Sequence, residues 1–312
     1  LALVWASNGK SGSIQGSTPS ISHAMSTGGL AALAGYEERS DSSSTESDGK
    51  APSESPKTCR LQKVSRAVHA FQHFDPGAQQ HGSQVLGLAD DASDVDLLST
   101  KPVHQVLKAV RTGNLAGFEV VESVPHARLP RVVLRHRKTA LLVDVVEASR
   151  DPHALAKDAM VASWLRLGQD VRDFALEIKA FSRKNQQVLP RTEGFPNTFL
   201  FLLSGFWFLA RHGLRPRPDV PAALASVRPI EHEEASGEMF RGWLGCLADD
   251  SPRIMSLDEA PSESTGEDAG RFWQIVEPIS GRMACSLSHQ QVRRIAACAK
   301  EHLQAFKRDE KK

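Results

Sequence analysis

From Cys59 onward the chain alternates between two kinds of hydrophobic pattern. Leu61, Val64, Val68 and Phe71 recur at three- and four-residue steps, which marks one apolar face of a helix, and the pattern stops at Asp75-Pro76-Gly77. Short apolar or alternating runs follow at Ser83–Leu88, Val95–Leu98, Phe118–Val121, Arg131–Leu134 and Leu141–Val146, with a helical stretch near Val103–Arg111 between them. They predict a small mixed sheet with a flanking helix. Beyond Asp151 the period is helical, through Ala154–Leu167, Val171–Ser182, Asn197–Arg211, Ala235–Leu247 and Ser288–Lys307. The polar stretch Asp249–Glu267 reads as a loop, within an insertion taken to cover 249–270. The expected fold class is α+β: a small mixed-sheet domain over residues 58–150 with its preceding helix, then a mainly helical domain over 151–312. No internal repeat is present.

Residues 1–57 are rich in Ser, Gly and Thr, and the block Ser40–Ser55 is too poor in apolar residues to offset the entropy of ordering. A disordered leader is expected there. The sequence opens on Leu1, with Met25 as a candidate internal start. The segment before Glu37 is acid-poor and Ser-rich like a transit peptide, but Lys10 is its only Lys or Arg. A cytoplasmic location is the expectation, with an organelle left open. The apolar share of 40% over 312 residues suits real cores, about two domains' worth. The longest apolar run, Phe199–Ala210, is broken by Ser204 and Gly205 and falls well short of the roughly 20 residues that span a bilayer. It is expected to be a buried core helix, and no membrane partner is expected. Cys59, Cys246, Cys285 and Cys298 show no CxxC pair or His partner at ligand spacing, which disfavours a zinc module and a disulfide scaffold. With 38 basic and 37 acidic residues the net charge is +1, so any site for a polyanion must be local.

The stretch that carries chemistry is Gly82-Ser83-Gln84-Val85-Leu86-Gly87-Leu88, followed by Ser93-Asp94-Val95-Asp96-Leu97. On a strand, Asp94 and Asp96 share one face while Val95 and Leu97 enter the core. Two aimed carboxylates suit a hard divalent cation such as Mg²⁺ or Mn²⁺, and two such ions can stabilise the attacking and leaving oxygens of a phosphoryl displacement. Asp144 is a lone acid inside the β-type run Leu141–Val146, where an unpaired charge is costly, so it calls for a partner such as a metal. Gly82 and Ser83 offer small residues and backbone N–H groups to an approaching triphosphate. Asp-x-Asp alone is also common in turns; the ordered combination is what is specific.

Gly-Ser, Asp-x-Asp and a third Asp on a later strand together resemble the nucleotidyltransferase palm of the DNA polymerase β-like superfamily. The second half resembles the non-canonical poly(A) polymerases and terminal uridylyltransferases, and the likeness runs from about Cys59 to Phe306. Phe74-Asp75-Pro76-Gly77-Ala78 is similar to the family's lead-in to Gly-Ser, and Val124-Pro125 to its Val-Pro element. Ile178-Lys179-Ala180-Phe181-Ser182-Arg183 is similar to its Ile-Lys-x-Trp-Ala-Lys helix; Lys179 and Arg183, at i and i+4, share a face suited to phosphates. Gly194-Phe195-Pro196-Asn197-Thr198-Phe199 stands where the family has Gly-x-Leu-Ser-Ser-Tyr, so Thr198 keeps a hydroxyl for phosphate and Phe199 a ring for the base. Ile275-Val276-Glu277-Pro278-Ile279 and the helical stretch after it are similar to the PAP-associated segment.

The resemblance implies an RNA 3′-terminal nucleotidyltransferase that adds AMP or UMP from ATP or UTP. Asp94, Asp96 and Asp144 would be catalytic and hold the metals, and Gly82, Ser83, Lys179, Arg183, Thr198 and Phe199 would bind the nucleotide. The family's ribose-reading Asn-Thr pair is missing, with Lys157-Asp158-Ala159 nearest in position. The positions of the His-Asn pair usual in uridylyltransferases hold Met283 and Ala284, with His289 further on, which leans towards ATP. The partners implied are the RNA 3′ end, the NTP and a separate RNA-binding protein, since no RRM, KH or zinc-finger signature is present; a monomer is expected. Arg131, Arg135, His136, Arg137 and Lys138, and Arg211, His212, Arg215 and Arg217, are the candidate RNA contacts, each cluster also readable as a solvated loop. A degraded enzyme acting as an RNA- or protein-binding module is the second reading, and a small-molecule nucleotidyltransferase the third.

Overall fold

The computed structural model describes residues 56–127, 129–216, 233–251, 253–257 and 273–309. The expected leader lies outside them up to residue 55, as do Arg217 and most of the 249–270 insertion.

The helix read from Leu61, Val64, Val68 and Phe71 is α1 (Pro56–Gln72), which seats Val64, Ala67 and Phe71 in the core. The first sheet follows with β1 (Gln79–His81), β2 (Val95–Ser99), α2 (Val103–Arg111), β3 (Phe118–Val124), β4 (Arg131–His136) and β5 (Leu142–Glu147). Its strand order is β1-β2-β5-β4-β3; β2 and β5 are parallel and the other pairs antiparallel. Val95, Leu97, Val143 and Val145 are fully buried on one face, packed with Phe71 and Phe118. The alternate residues, Asp96 and Asp144 among them, belong to the opposite face. Asp75 locks the far end of β2: its carboxylate accepts the Ser99 hydroxyl at 2.7 Å and the Thr100 N–H at 2.8 Å.

Ser83–Leu88 is not a strand. β1 ends at His81, Gly82 (φ +72°) and Gly87 (φ +67°) adopt left-handed backbone, and the chain closes turns through Leu86 N–H to Gly82 O and Leu88 N–H to Ser83 O. The two glycines break an otherwise β-like run of apolar residues.

The second half holds α3 (Ala154–Leu165), α4 (Gln169–Lys184), α5 (Thr198–Arg211), α6 (Glu233–Ala248) and α7 (His289–Asp309), close to the expected spans. Among them lies a second sheet, β6 (Arg253–Met255), β7 (Trp273–Glu277) and β8 (Arg282–Leu287), in that order. Polar flanks and short length hid these strands: β6 falls inside the stretch read as a loop. α5 is the apolar run, started by Asn197, whose side chain caps Leu200 N–H at 2.9 Å. The polar break at Ser204 is satisfied, since its hydroxyl donates to Phe201 O and accepts Trp243 Nε1–H at 3.1 Å. The Gly205 break admits a neighbour: a Cβ there would meet Ile178 Cδ1 at 2.3 Å and the Phe174 ring at 3.3 Å. No described helix is long and apolar enough to cross a membrane.

Gly205→Ala is therefore expected to destabilise the helical half by about 1–3 kcal/mol through overpacking. Urea unfolding checks this, and an unchanged midpoint would show that α4 and α5 are not packed as described.

Candidate active site

Strand register assembles the acids. Asp96 lies opposite His81 on β1 and beside Asp144 on β5, one strand spacing of about 4.8 Å away in each direction. Asp94 stands just ahead of β2, exposed to solvent. The consequence is electrostatic. The Asp96 carboxyl is pushed up to about 7, first by burial and then by Asp144, Asp94 and Asp158. Asp144 is also raised, chiefly by burial, with the Arg131 guanidinium pulling it back.

Arg131 is a residue the sequence placed elsewhere, in a basic run considered for RNA. On the sheet it reaches diagonally across β4 and β5, with Nη1 donating to Asp144 Oδ2 at 3.1 Å and Nη2 to Glu122 Oε1 at 3.0 Å. The other Asp144 oxygen, Oδ1, is buried without a hydrogen-bond partner. Hard oxygen donors, mutual repulsion and an orphaned carboxylate oxygen fit a divalent cation in chemistry. Among the described residues, however, no three His, Cys, Asp or Glu side chains are gathered closely enough to hold one. Asp144 is engaged by arginine instead.

Above the acids, the turn after β1 approaches them closely. A Cβ on Gly82 would sit 2.5 Å from Asp96 Oδ2, and the backbone there has φ +72°, so only glycine fits. The Gly82 N–H expected to face phosphate donates to Asp158 Oδ2 at 2.7 Å. From Leu86 to Ser93 the following loop is held by cations. Arg172 donates to Leu86 O at 3.0 Å, and Lys179 to Leu88 O at 2.6 Å and Ser93 Oγ at 2.8 Å. Arg183 pairs with Asp90, while Arg60 of α1 donates to Asp91 O at 2.7 Å and Ser93 O at 2.6 Å. Arg172, Lys179 and Arg183 form one face of α4. Lys179 is buried, and burial depresses its pKa. The two cations expected to neutralise phosphate thus anchor the loop that leads into Asp94.

These parts enclose a cleft of about 810 Å³ between the sheet and α3, α4 and α5, a volume typical of small-molecule sites. Of the residues singled out in the sequence, Gly82, Ser83, Asp94, Asp96, Lys179, Arg183, Thr198 and Phe199 line it; Asp144 does not. The Thr198 hydroxyl pairs with that of Ser182 at 3.1 Å, and Phe199, partly buried against the helical core, lines the cleft. The wall also contains His81, Asp158 and Arg191, which sequence reasoning did not assign. His81 Nε2 is buried and unpartnered, and burial lowers the imidazole pKa even though Asp158 and Asp151 oppose it. The signal for Asp158 was its position in place of the missing Asn-Thr pair.

Several expected residues lie elsewhere. Met283, on β8, is exposed and His289 faces Asp250 at 3.8 Å; neither lines the cleft. Glu277 is buried and accepts Ile279 N–H at 2.8 Å, so the Glu-Pro step builds its own turn. His136 is buried and bonded to Thr139 Oγ1 at 2.7 Å, on the core side of β4, and so cannot meet RNA. Arg135 pairs with Glu119 at 2.9 Å, and Arg137 reaches Phe118 O. Arg211 lies over the Trp207 ring and His212 against Phe208. Lys138 and Arg215 are exposed.

No protein-family model and no curated protein sequence matches the chain. Solved structures do. The Cid1 poly(U) polymerase with Mg and 3′-dATP bound matches at TM-score 0.61 and 16% identity, covering 81% of this chain and 90% of that one. A cytoplasmic RNA terminal U-transferase gives 0.61 and 17%, with 81% and 89% covered. mtPAP in complex with GTP gives 0.54 and 14%, with 80% and 64% covered. The chain therefore has the nucleotidyltransferase-like α+β fold of these proteins.

The raised Asp96 pKa sets a pH dependence. Between 3.8 and about 7 the folded protein keeps a proton that the unfolded chain has released, so Asp96 lowers stability as pH rises through that window. In EDTA, Asp96→Asn should raise Tm at pH 8 by on the order of 5 °C, given roughly 2–4 °C per kcal/mol for a domain of this size. At pH 4 the gain should vanish. An equal gain at both pH values would show that Asp96 is not crowded by the other acids.

Proposed function

We propose that this chain is a template-independent RNA 3′-terminal nucleotidyltransferase. The observation that carries the proposal is the register that sets Asp96 beside Asp144, with Asp94 adjoining, under a Gly-Ser turn at one end of a nucleotide-sized cleft. The reading is supported by the fold shared with a poly(U) polymerase, a terminal U-transferase and mtPAP. In the reaction the RNA 3′-oxygen bonds to the α-phosphorus of an NTP, the α–β anhydride bond breaks, and pyrophosphate leaves.

Asp94, Asp96 and Asp144, drawn together with Asp144 released from Arg131, would hold Mg²⁺ or Mn²⁺, which would neutralise charge on the attacking and leaving oxygens. The chain's own residues align the reactants, the larger share of catalysis in phosphoryl-group transfer. Phe199 stacks the base, Thr198 and Ser83 offer hydroxyls to the phosphates, and Lys179 and Arg183 supply positive potential while fixing the loop before Asp94. Asp144, with an unpartnered Oδ1 but set behind the cleft wall, would accept the 3′-hydroxyl proton once released from Arg131. Gly82 keeps the turn close to Asp96. The donor is ATP or UTP; the lean towards ATP rests on the sequence positions of Met283 and Ala284 alone, since neither lines the cleft.

One observation favours the second reading, a binding module without catalysis: Asp144 is tied to Arg131 and the Gly82 N–H to Asp158. Extension of a labelled RNA primer with each NTP separately, in Mg²⁺ and in Mn²⁺, decides between them. Activity should appear with ATP or UTP, and Asp94→Ala, Asp96→Ala and Asp144→Ala should each lower it by a factor on the order of 10²–10³ or more. No extension with any NTP, or extension indifferent to these changes, would overturn the proposal.

Gly82→Ala should lower kcat by at least about tenfold at unchanged fold, because the added methyl must displace the Asp96 carboxylate. Steady-state kinetics with circular dichroism checks this, and full activity would show that the turn is not held against Asp96.

A further inference from the structure

The sequence and the cleft leave open where RNA upstream of the 3′ end would run. Both basic clusters considered for this role are largely engaged. Arg131 and Arg135 are paired to acids, His136 is buried, and Arg211 and His212 lie on aromatic rings. α1 is different. Its sequence, PKTCRLQKVSRAVHAFQ, holds no acid. Val64, Ala67 and Phe71 face the sheet, and Arg60 turns inward to the carbonyls of Asp91 and Ser93. Lys63, Arg66 and His69, with His73 in the turn that follows, are exposed and spaced by three, three and four residues, which gathers them on the outer side. Among the described residues their side chains make no ion pair or hydrogen bond, and the two imidazoles meet edge to face at 4.4 Å.

We infer that the outer side of α1 binds the backbone of single-stranded RNA upstream of the 3′ end. The inference rests on the proposed function for the choice of RNA over another polyanion. Lys63 and Arg66 repel one another across a helix that supplies no counter-charge, a penalty that phosphates relieve. The neighbouring imidazoles add stacking surfaces, which histidine offers to unpaired bases. Placement also fits. Arg60 ties α1 to the residues immediately before Asp94, and the stripe from Lys63 to His73 extends about 15 Å along the chain axis. A near-neutral chain thus carries a local cationic track that starts at the helix end tied by Arg60 to the loop before Asp94.

The test is fluorescence anisotropy of a labelled 15-nucleotide single-stranded RNA in EDTA without NTP, for the full chain and for K63E/R66E and K63Q/R66Q. Both residues are exposed, and circular dichroism verifies the fold. The reversal pair should weaken binding at least about tenfold at low salt, and the slope of log K against log salt should lose about 1.4, from 0.7 per phosphate contact. The neutral pair should fall between. In extension assays KM for the long primer should rise with KM for NTP unchanged, and a dinucleotide primer should be unaffected. Unchanged affinity and slope would overturn the inference, as would an equal defect on the dinucleotide, or loss of binding to phosphatidylserine vesicles with RNA binding intact. RNA bound through these residues but never extended removes the activity alone; extension with K63E/R66E binding normally removes the α1 surface alone.

Discussion

The parallel pairing of β2 with β5 is the constraint on which the rest of the site depends. It sets Asp96 beside Asp144, while the antiparallel hairpin with β1 sets His81 on the other side, so a carboxylate is fixed in a row it cannot leave without breaking the sheet. Val95, Leu97, Val143 and Val145, fully buried on the opposite face, enforce that register, because a slip of one residue would turn the acids into the core. The repulsion this creates is answered locally by Arg131 on Asp144 and by a proton on Asp96 near neutral pH. A divalent cation would answer the same need, once Asp144 gives up its contact with Arg131.

A second set of interactions explains how a turn-rich loop stays in place above the acids. Arg60, Arg172, Lys179 and Arg183 reach the loop from two helices, mostly through its carbonyl oxygens. Carbonyls accept from a cation whatever side chains the loop carries, so only the contacts to Asp90 and Ser93 Oγ tie loop position to loop sequence. The contacts also join the sheet half to α4, so the cleft between them has a fixed width on that side. Lys179 and Arg183 therefore act on geometry as well as on charge.

Much of this was legible in the sequence, for identifiable reasons. α1, α3, α4, α5 and α7 show helical period because each buries one face or is buried throughout. Asp144 stood out because an acid between buried valines is expensive without a function, and Asp94 and Asp96 because they alternate with apolar residues. What was not legible depended on tertiary partners. Ser83–Leu88 looks like a strand until Gly82 and Gly87 are seen in left-handed backbone. Arg131 looked like a member of a basic run, and only the diagonal across β4 and β5 shows its partner to be Asp144. Asp158 takes the Gly82 N–H from a distant helix, and no spacing rule predicts that. The strands β6 and β8 show no alternation of buried and exposed positions and owe their place to β7 between them.

The central claim is that these carboxylates exist to hold divalent cations around a nucleotide. Titration of Mn²⁺ followed by electron paramagnetic resonance, with a non-hydrolysable NTP analogue present, tests it directly. The account predicts protein-bound Mn²⁺ that is lost in Asp94→Asn and in Asp96→Asn, with Arg131→Gln binding at least as tightly as the parent because Asp144 is released. Mn²⁺ binding that ignores the loss of Asp94 and Asp96 would contradict it.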